Sequence, residues 1–164
     1  MNSKVNLTRL VWRLKLDEGF AEKAFWDSAE GSTHGQWTNG YGTKAKYPYE
    51  EITKEEAEKR LMIGIGYCHK TFMRVYSHIL DSLNTVRSEA LINMLYNLGC
   101  SGVMSFRKMN TALSTMPIDW ELVGAHAAES RWRIQVGMRA DHLIQELRTG
   151  EYYFNETDIL RIKV

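Results

Sequence analysis

The chain reads as an α+β protein, mainly α, in which a small β-containing N-terminal lobe is joined by a long helix to a larger helical C-terminal lobe. Three observations predict this. Strand-like residues and clustered glycine are confined to residues 20–51, which also hold seven aromatic side chains. A capping-box start, Thr53-Lys54-Glu55-Glu56, opens a helical pattern that runs to about Tyr76. From residue 82 to the end the apolar spacing is helical almost throughout, with breaks at 99–102, 116–117, 135–137 and 148–150. With 164 residues, 44% of them hydrophobic, the chain can bury a proper core as one domain. Its lobes are residues 15–52, then the connecting helix 53–76, then 77–164 together with an N-terminal helix over 5–16.

The N-terminal helix places Leu7, Leu10, Val11 and Leu14 on one stripe, with Asn6 or Thr8 as its cap and Gly19 as its stop. Arg9, Arg13 and Lys15 interrupt every apolar run, so this segment is neither a signal peptide nor a membrane span. Phe25-Trp26 reads as the start of a strand, and residues 28–36 are rich in turn formers. Asn39-Gly40 reads as a tight hairpin turn, which conflicts with Thr38 lying along a strand. The apolar positions of the long helix include Ala57, Leu61, Ile65, Cys68 and Phe72, and about twenty residues span about 30 Å. Residues 89–98 are apolar nearly all round and mark a central helix on which Asn93 and Asn97 share a face. Asn93 reads as a buried amide satisfied by backbone groups, and Met94, Met104, Met109 and Met116 as core filler.

Composition excludes several functions. Lys plus Arg total 21 against 20 for Asp plus Glu, divided 10 and 10 in residues 1–60 and 11 and 10 in the rest, so no part carries the basic field that nucleic acid requires. Cys68 and Cys100 are too few for a disulfide framework and form no Cys-x-x-Cys pair, which points to a reducing site of synthesis. Both lie in apolar helical patterns, as small buried thiols do, rather than as peptidase nucleophiles. His34, His69, His78, His126 and His142 show no zinc-peptidase spacing, so no metal is expected.

The chemistry concentrates early. Glu18 and Asp27 stand nine positions apart across a helix end, and cleavage of a glycosidic bond needs one carboxyl that keeps its proton and another that stays ionised. Glu18 projects from the packed side of the helix's last turn, where apolar neighbours favour the neutral acid. Asp27 adjoins a polar run and stays solvated, able to hold a water with Thr38 as second anchor.

Five ordered segments carry a resemblance: Leu16-Asp17-Glu18-Gly19-Phe20, Phe25-Trp26-Asp27, Thr38-x-Gly40-Tyr41-Gly42, the run from Ile52 through Lys59, and Ala90-Leu91-Ile92-Asn93-Met94. Together they resemble tailed-phage lysozymes of the T-even type, glycoside hydrolase family 24. Glu129-Ser130-Arg131-Trp132, Met138-Arg139-Ala140 and Leu147-Arg148-Thr149-Gly150 extend the likeness over nearly the whole chain. The resemblance implies a lysozyme-like fold and a muramidase that cuts peptidoglycan glycan strands with inversion and without a cofactor. It implies Glu18 as general acid, Asp27 and Thr38 as holders of the attacking water, and Asn97, Arg139 and Gly42 at the substrate. It further implies a monomer made in the host cytoplasm, not inserted in a membrane, that reaches the cell wall after a holin opens the way. A non-catalytic wall-binding or assembly module on the same fold is the alternative.

Three departures qualify the likeness. The stretch between Asp27 and Thr38 is longer than in the T-even enzymes, which makes Thr33 a second candidate for the water anchor. Thr43 stands where the family often has His after the glycine turn. A net charge of +1 predicts weaker, less salt-sensitive steering to an anionic wall than in a strongly basic enzyme. Trp132 and Arg131 read as lobe core and its ion pair rather than as substrate contacts.

Overall fold

A computed structural model describes residues 5–28 and 35–153, and the chain in it is mainly helical with one small antiparallel sheet, the class its pattern predicts. Asn6 opens α1 (Leu7–Glu18): its Oδ1 accepts a hydrogen bond from the Arg9 amide at 3.1 Å, so Asn6 rather than Thr8 is the cap. Leu10 and Leu14 are buried, whereas Leu7 in the first turn is nearly half exposed and drops out of the expected stripe. At the other end the Gly19 amide, with φ 65°, bonds back to the Lys15 carbonyl and closes the helix as predicted. No helix among the described residues is long and apolar enough to cross a membrane.

The backbone divides into two compact units, Val11–Gly66 and a second that joins the residues through Leu10 to the chain from Tyr67 onward. The first contains β1 (Ala21–Ser28), β2 (Gly35–Gly40) and β3 (Thr43–Lys44), paired antiparallel in that order. Phe25-Trp26 lies in the middle of β1 rather than at its start. The reason is non-local: the Ala24 amide bonds to the Glu50 carbonyl and the Ile52 amide to that of Glu22, so the early part of β1 pairs with a segment about thirty residues away. Asn39-Gly40 is not the turn, because β2 runs through Gly40 and Asn39 pairs with Thr43. The reversal is made by Gly40, Tyr41 and Gly42, with both glycines at positive φ, and Thr38 therefore sits squarely within a strand.

In this unit Leu14, Ala24, Tyr41, Ile52, Ala57, Leu61 and Ile65 are buried. Helix α2 (Lys54–Val75) opens in this unit on the Thr53 hydroxyl, which accepts from the Glu56 amide at 3.2 Å; the Glu56 carboxylate turns to Arg60 Nε instead of reaching back. A buried carboxylate pins the loop before α2. Glu50 accepts from Arg60 Nη2 at 2.7 Å, Arg60 Nη1 at 3.0 Å, the Lys46 amide at 2.8 Å and Asn39 Nδ2 at 3.2 Å. Tyr49, one residue earlier, holds φ 60°, a left-handed conformation that costs a residue with a side chain about 1–2 kcal/mol and persists because Glu50 anchors the chain beside it.

In the second unit α3 (Thr85–Met104) is the central helix, with every residue from Ser88 to Leu95 buried. Gly99, at φ 69° and ψ 173°, kinks it at the first predicted break. Helices α4 (Arg107–Leu113), α5 (Trp120–Ala128), α6 (Arg131–Val136) and α7 (Met138–Thr149) follow. Met94 and Met109 are core, as expected, but Met104 lies past the Gly99 kink and Met116 in the α4–α5 connection, and both are exposed. Cys68 and Cys100 are free, and burial pushes the Cys68 thiol up to about 11, far from a reactive thiolate.

Candidate active site

Glu18 is the last residue of α1, and Gly19 releases the chain into β1 directly after it. The side chain is partly buried and lies against Gly42: a Cβ built there would fall 2.5 Å from Glu18 Oε2 and 3.1 Å from its Cδ. Position 42 thus requires glycine twice over, for its φ of 69° and for the carboxylate that occupies the space a side chain would take.

Asp27 and Thr38 share a face of the β1–β2 ladder. Thr38 stands opposite Phe25 and Asp27 opposite Gln36, and residues two apart on a strand point the same way. They are therefore diagonal neighbours, a relation that sets their backbones about 7–8 Å apart. Asp27 is exposed, in keeping with a solvated carboxylate, while Thr38 is 3% exposed. Thr38 Oγ1 has no hydrogen-bond partner among the described residues, a rare condition for a buried hydroxyl and one that marks a place for function or for bound water. Thr33 lies outside the described residues.

Asn97 and Arg139 belong to the other unit. Asn97 Oδ1 accepts from Trp132 Nε1 at 2.7 Å, and because an indole N–H can only donate, this bond decides which way round the amide sits. Trp132 is buried edge-on against Phe106, as core, and with Leu98 it lines a groove of about 450 Å³. Arg131 is exposed; the ion pair of this helix is Arg133 with Asp141 at 2.6 Å. Arg139 Nε and Nη2 both donate to Asn93 Oδ1, at 3.0 and 2.8 Å. Asn93 is thus a buried amide whose Oδ1 takes two hydrogen bonds from a guanidinium, and it orients Arg139.

A protein-family model described as phage lysozyme matches residues 15–148, a span that takes in all six of these residues. The chain belongs to the phage lysozyme family. Its α+β fold is accordingly of the lysozyme-like kind, and the protein is a glycosidase-type enzyme of the peptidoglycan-hydrolysing endolysin class.

Within this phage lysozyme the Val11–Gly66 unit holds four of the expected residues, Glu18, Asp27, Thr38 and Gly42. The strand that carries Thr38 pairs with the strand that carries Asp27 and runs into the turn on which Glu18 rests. Two sets of supporting contacts escaped the sequence reading. Asn93 and Trp132 fix Arg139 and Asn97 from 46 and 35 positions away, separations at which no helical or strand periodicity carries a signal. Glu50 and Arg60, which brace the loop and Asn39 next to Thr38, likewise show nothing in the sequence beyond two common charges.

Proposed function

We propose that this phage lysozyme is a muramidase of the T-even type, glycoside hydrolase family 24, hydrolysing the β-1,4 bond between N-acetylmuramic acid and N-acetylglucosamine with inversion, for host lysis. One observation supports this above others. The Glu18 carboxyl rests on Gly42, in the turn that ends the strand bearing Thr38, and the unpartnered Thr38 hydroxyl shares a sheet face with the exposed Asp27. Glu18 donates its proton to the leaving glycosidic oxygen as that bond breaks. A water held by the Asp27 carboxylate and Thr38 Oγ1 attacks the anomeric carbon from the opposite face and passes its proton to Asp27. Inversion needs room for that water, about 6.5–9.5 Å between the two carboxyl groups.

Glycine at 42 gives the Glu18 carboxyl its seat. Asn97 offers its Nδ2 hydrogens to an acetamido carbonyl, because its Oδ1 is already taken by Trp132. Arg139, oriented by Asn93, steadies the substrate. The enzyme works as a monomer without a cofactor, is made in the host cytoplasm, and reaches the wall when a holin opens the membrane.

Mass spectrometry of fragments released from purified sacculi tests the reaction. Hydrolysis yields reducing muramic acid ends; anhydromuramic ends would mean that no water attacks and would remove the role given to Asp27 and Thr38. Thr38→Val tests the anchor by separating activity from stability. Valine keeps the shape and removes a buried hydroxyl that lacks a partner, so the thermal midpoint should stay level or rise while clearing activity falls by about a hundredfold. Full activity in that variant would transfer the role to Thr33.

A further inference from the structure

The face of the hairpin opposite Asp27 and Thr38 carries aromatic rings that the catalytic reading does not use. Trp26 and Trp37 are register partners, so both point away from the catalytic face, and their rings meet edge to face at 5.9 Å. Tyr49 continues the row, edge to face with Trp37 at 4.4 Å. Rings that interlock in this way usually do so in a core, yet Trp26 is 52% and Tyr49 63% exposed. The row is also held in place. Tyr49 keeps its left-handed backbone next to the Glu50–Arg60 anchor, and backbone strain in a bulky exposed residue points to a use for the side chain it presents. At the edge, Lys23 Nζ lies 6.0 Å from the centre of the Tyr49 ring and 3.8 Å from Glu51 Oε1, so a donor and an acceptor flank the rings with no net charge.

We propose that Trp26, Trp37 and Tyr49 form a second glycan-binding surface, which holds a peptidoglycan strand while the opposite face of the hairpin works on the substrate. A pyranose ring has a face of C–H bonds that packs on aromatic rings and a rim of hydroxyl and acetamido groups that hydrogen-bonds to polar neighbours. Exposed rings bordered by Lys23 and Glu51 match both parts. A membrane fits less well, because anionic lipid headgroups draw clustered cations and this edge balances its Lys23 with Glu51. The surface is continuous with the catalytic hairpin: Trp26 adjoins Asp27 and Trp37 adjoins Thr38. In a meshwork substrate such a surface keeps the enzyme on the wall between cuts. The proposal rests on the reading of this protein as a peptidoglycan hydrolase.

Co-sedimentation with purified sacculi tests it, using Glu18→Gln as the parent so that the wall stays intact. Tyr49→Gly removes a ring while supplying the residue that φ 60° favours, so the fold is retained; Trp26→Ala removes a second ring and Trp26→Phe keeps one. Each ring-removing substitution should weaken retention by about tenfold, the equilibrium equivalent of one lost stacking contact, with an unchanged melting midpoint, and Trp26→Phe should restore most of it. Undiminished retention in Tyr49→Gly and Trp26→Ala would overturn the proposal. So would size-exclusion behaviour showing that the rings instead pair two copies of the chain. Failure of the hydrolase reading would look different: the wild-type protein would release no reducing ends from the same sacculi.

Discussion

Glu18→Gln is expected to yield a folded protein whose clearing of chloroform-treated cells falls below about a thousandth of wild type. The amide keeps the shape of the carboxyl and its seat against Gly42 but has no proton to give the leaving oxygen. Asp27, the other acid of the site, is exposed and stands on β1, the strand paired with that of the water anchor, where it cannot substitute as proton donor. The measurement is turbidity loss with wild type and variant side by side, each checked by far-ultraviolet circular dichroism. Substantial clearing by the folded variant would place the proton donor elsewhere. Loss of clearing together with loss of the folded signal would show instead that Glu18 holds the α1 terminus together.

Arg60→Ala is expected to destabilise the protein by about 3–5 kcal/mol at neutral pH, because it leaves the Glu50 carboxylate buried without its cation. The Arg60 hydrogen bonds, aided by the Lys46 amide and Asn39, hold the Glu50 carboxyl down to about 2 from its ordinary 4.5. Since the folded value lies below the unfolded one, the stability Glu50 contributes is complete above about pH 4.5 and is lost as pH falls toward 2. At about 1.4 kcal/mol per unit this amounts to roughly 3 kcal/mol, in line with the mutational expectation. Urea unfolding at pH 7, 4.5 and 3 checks both parts. Wild type should weaken between the last two, and the variant should start lower and weaken less over the same interval. Equal urea midpoints at pH 7 would refute the idea that this pair braces the loop. Because Glu50 also receives Asn39, next to Thr38, the variant should be less active at temperatures where it remains folded.

The helices were readable because their signals are local. The Asn6 and Thr53 caps and the Gly19 stop act within one turn, and the apolar spacing of Ala57, Leu61, Ile65 and Phe72 repeats on one face whatever packs against it. The hairpin was less so. Asn39-Gly40 has the composition of a two-residue turn, but the reversal is set by the pair Gly40 and Gly42 and by how β2 aligns with β1 and β3. Strand pairing is a choice between partners far apart in the chain, and no short window contains it.

By itself the sequence determined the class of fold, the start and stop of α1 and the start of α2, and an acid at a helix end followed by a second acid and a glycine turn, because each of these is set by neighbours within a few residues. Tertiary structure alone decided that Glu18 lies on Gly42, that Thr38 is buried with its hydroxyl unpartnered, that Arg139 is held by Asn93 and Asn97 by Trp132, and that three aromatic rings line up on the back of the hairpin. These contacts join residues whose separation along the chain leaves no periodic trace, so they exist only once the backbone has brought their side chains within hydrogen-bonding or van der Waals range.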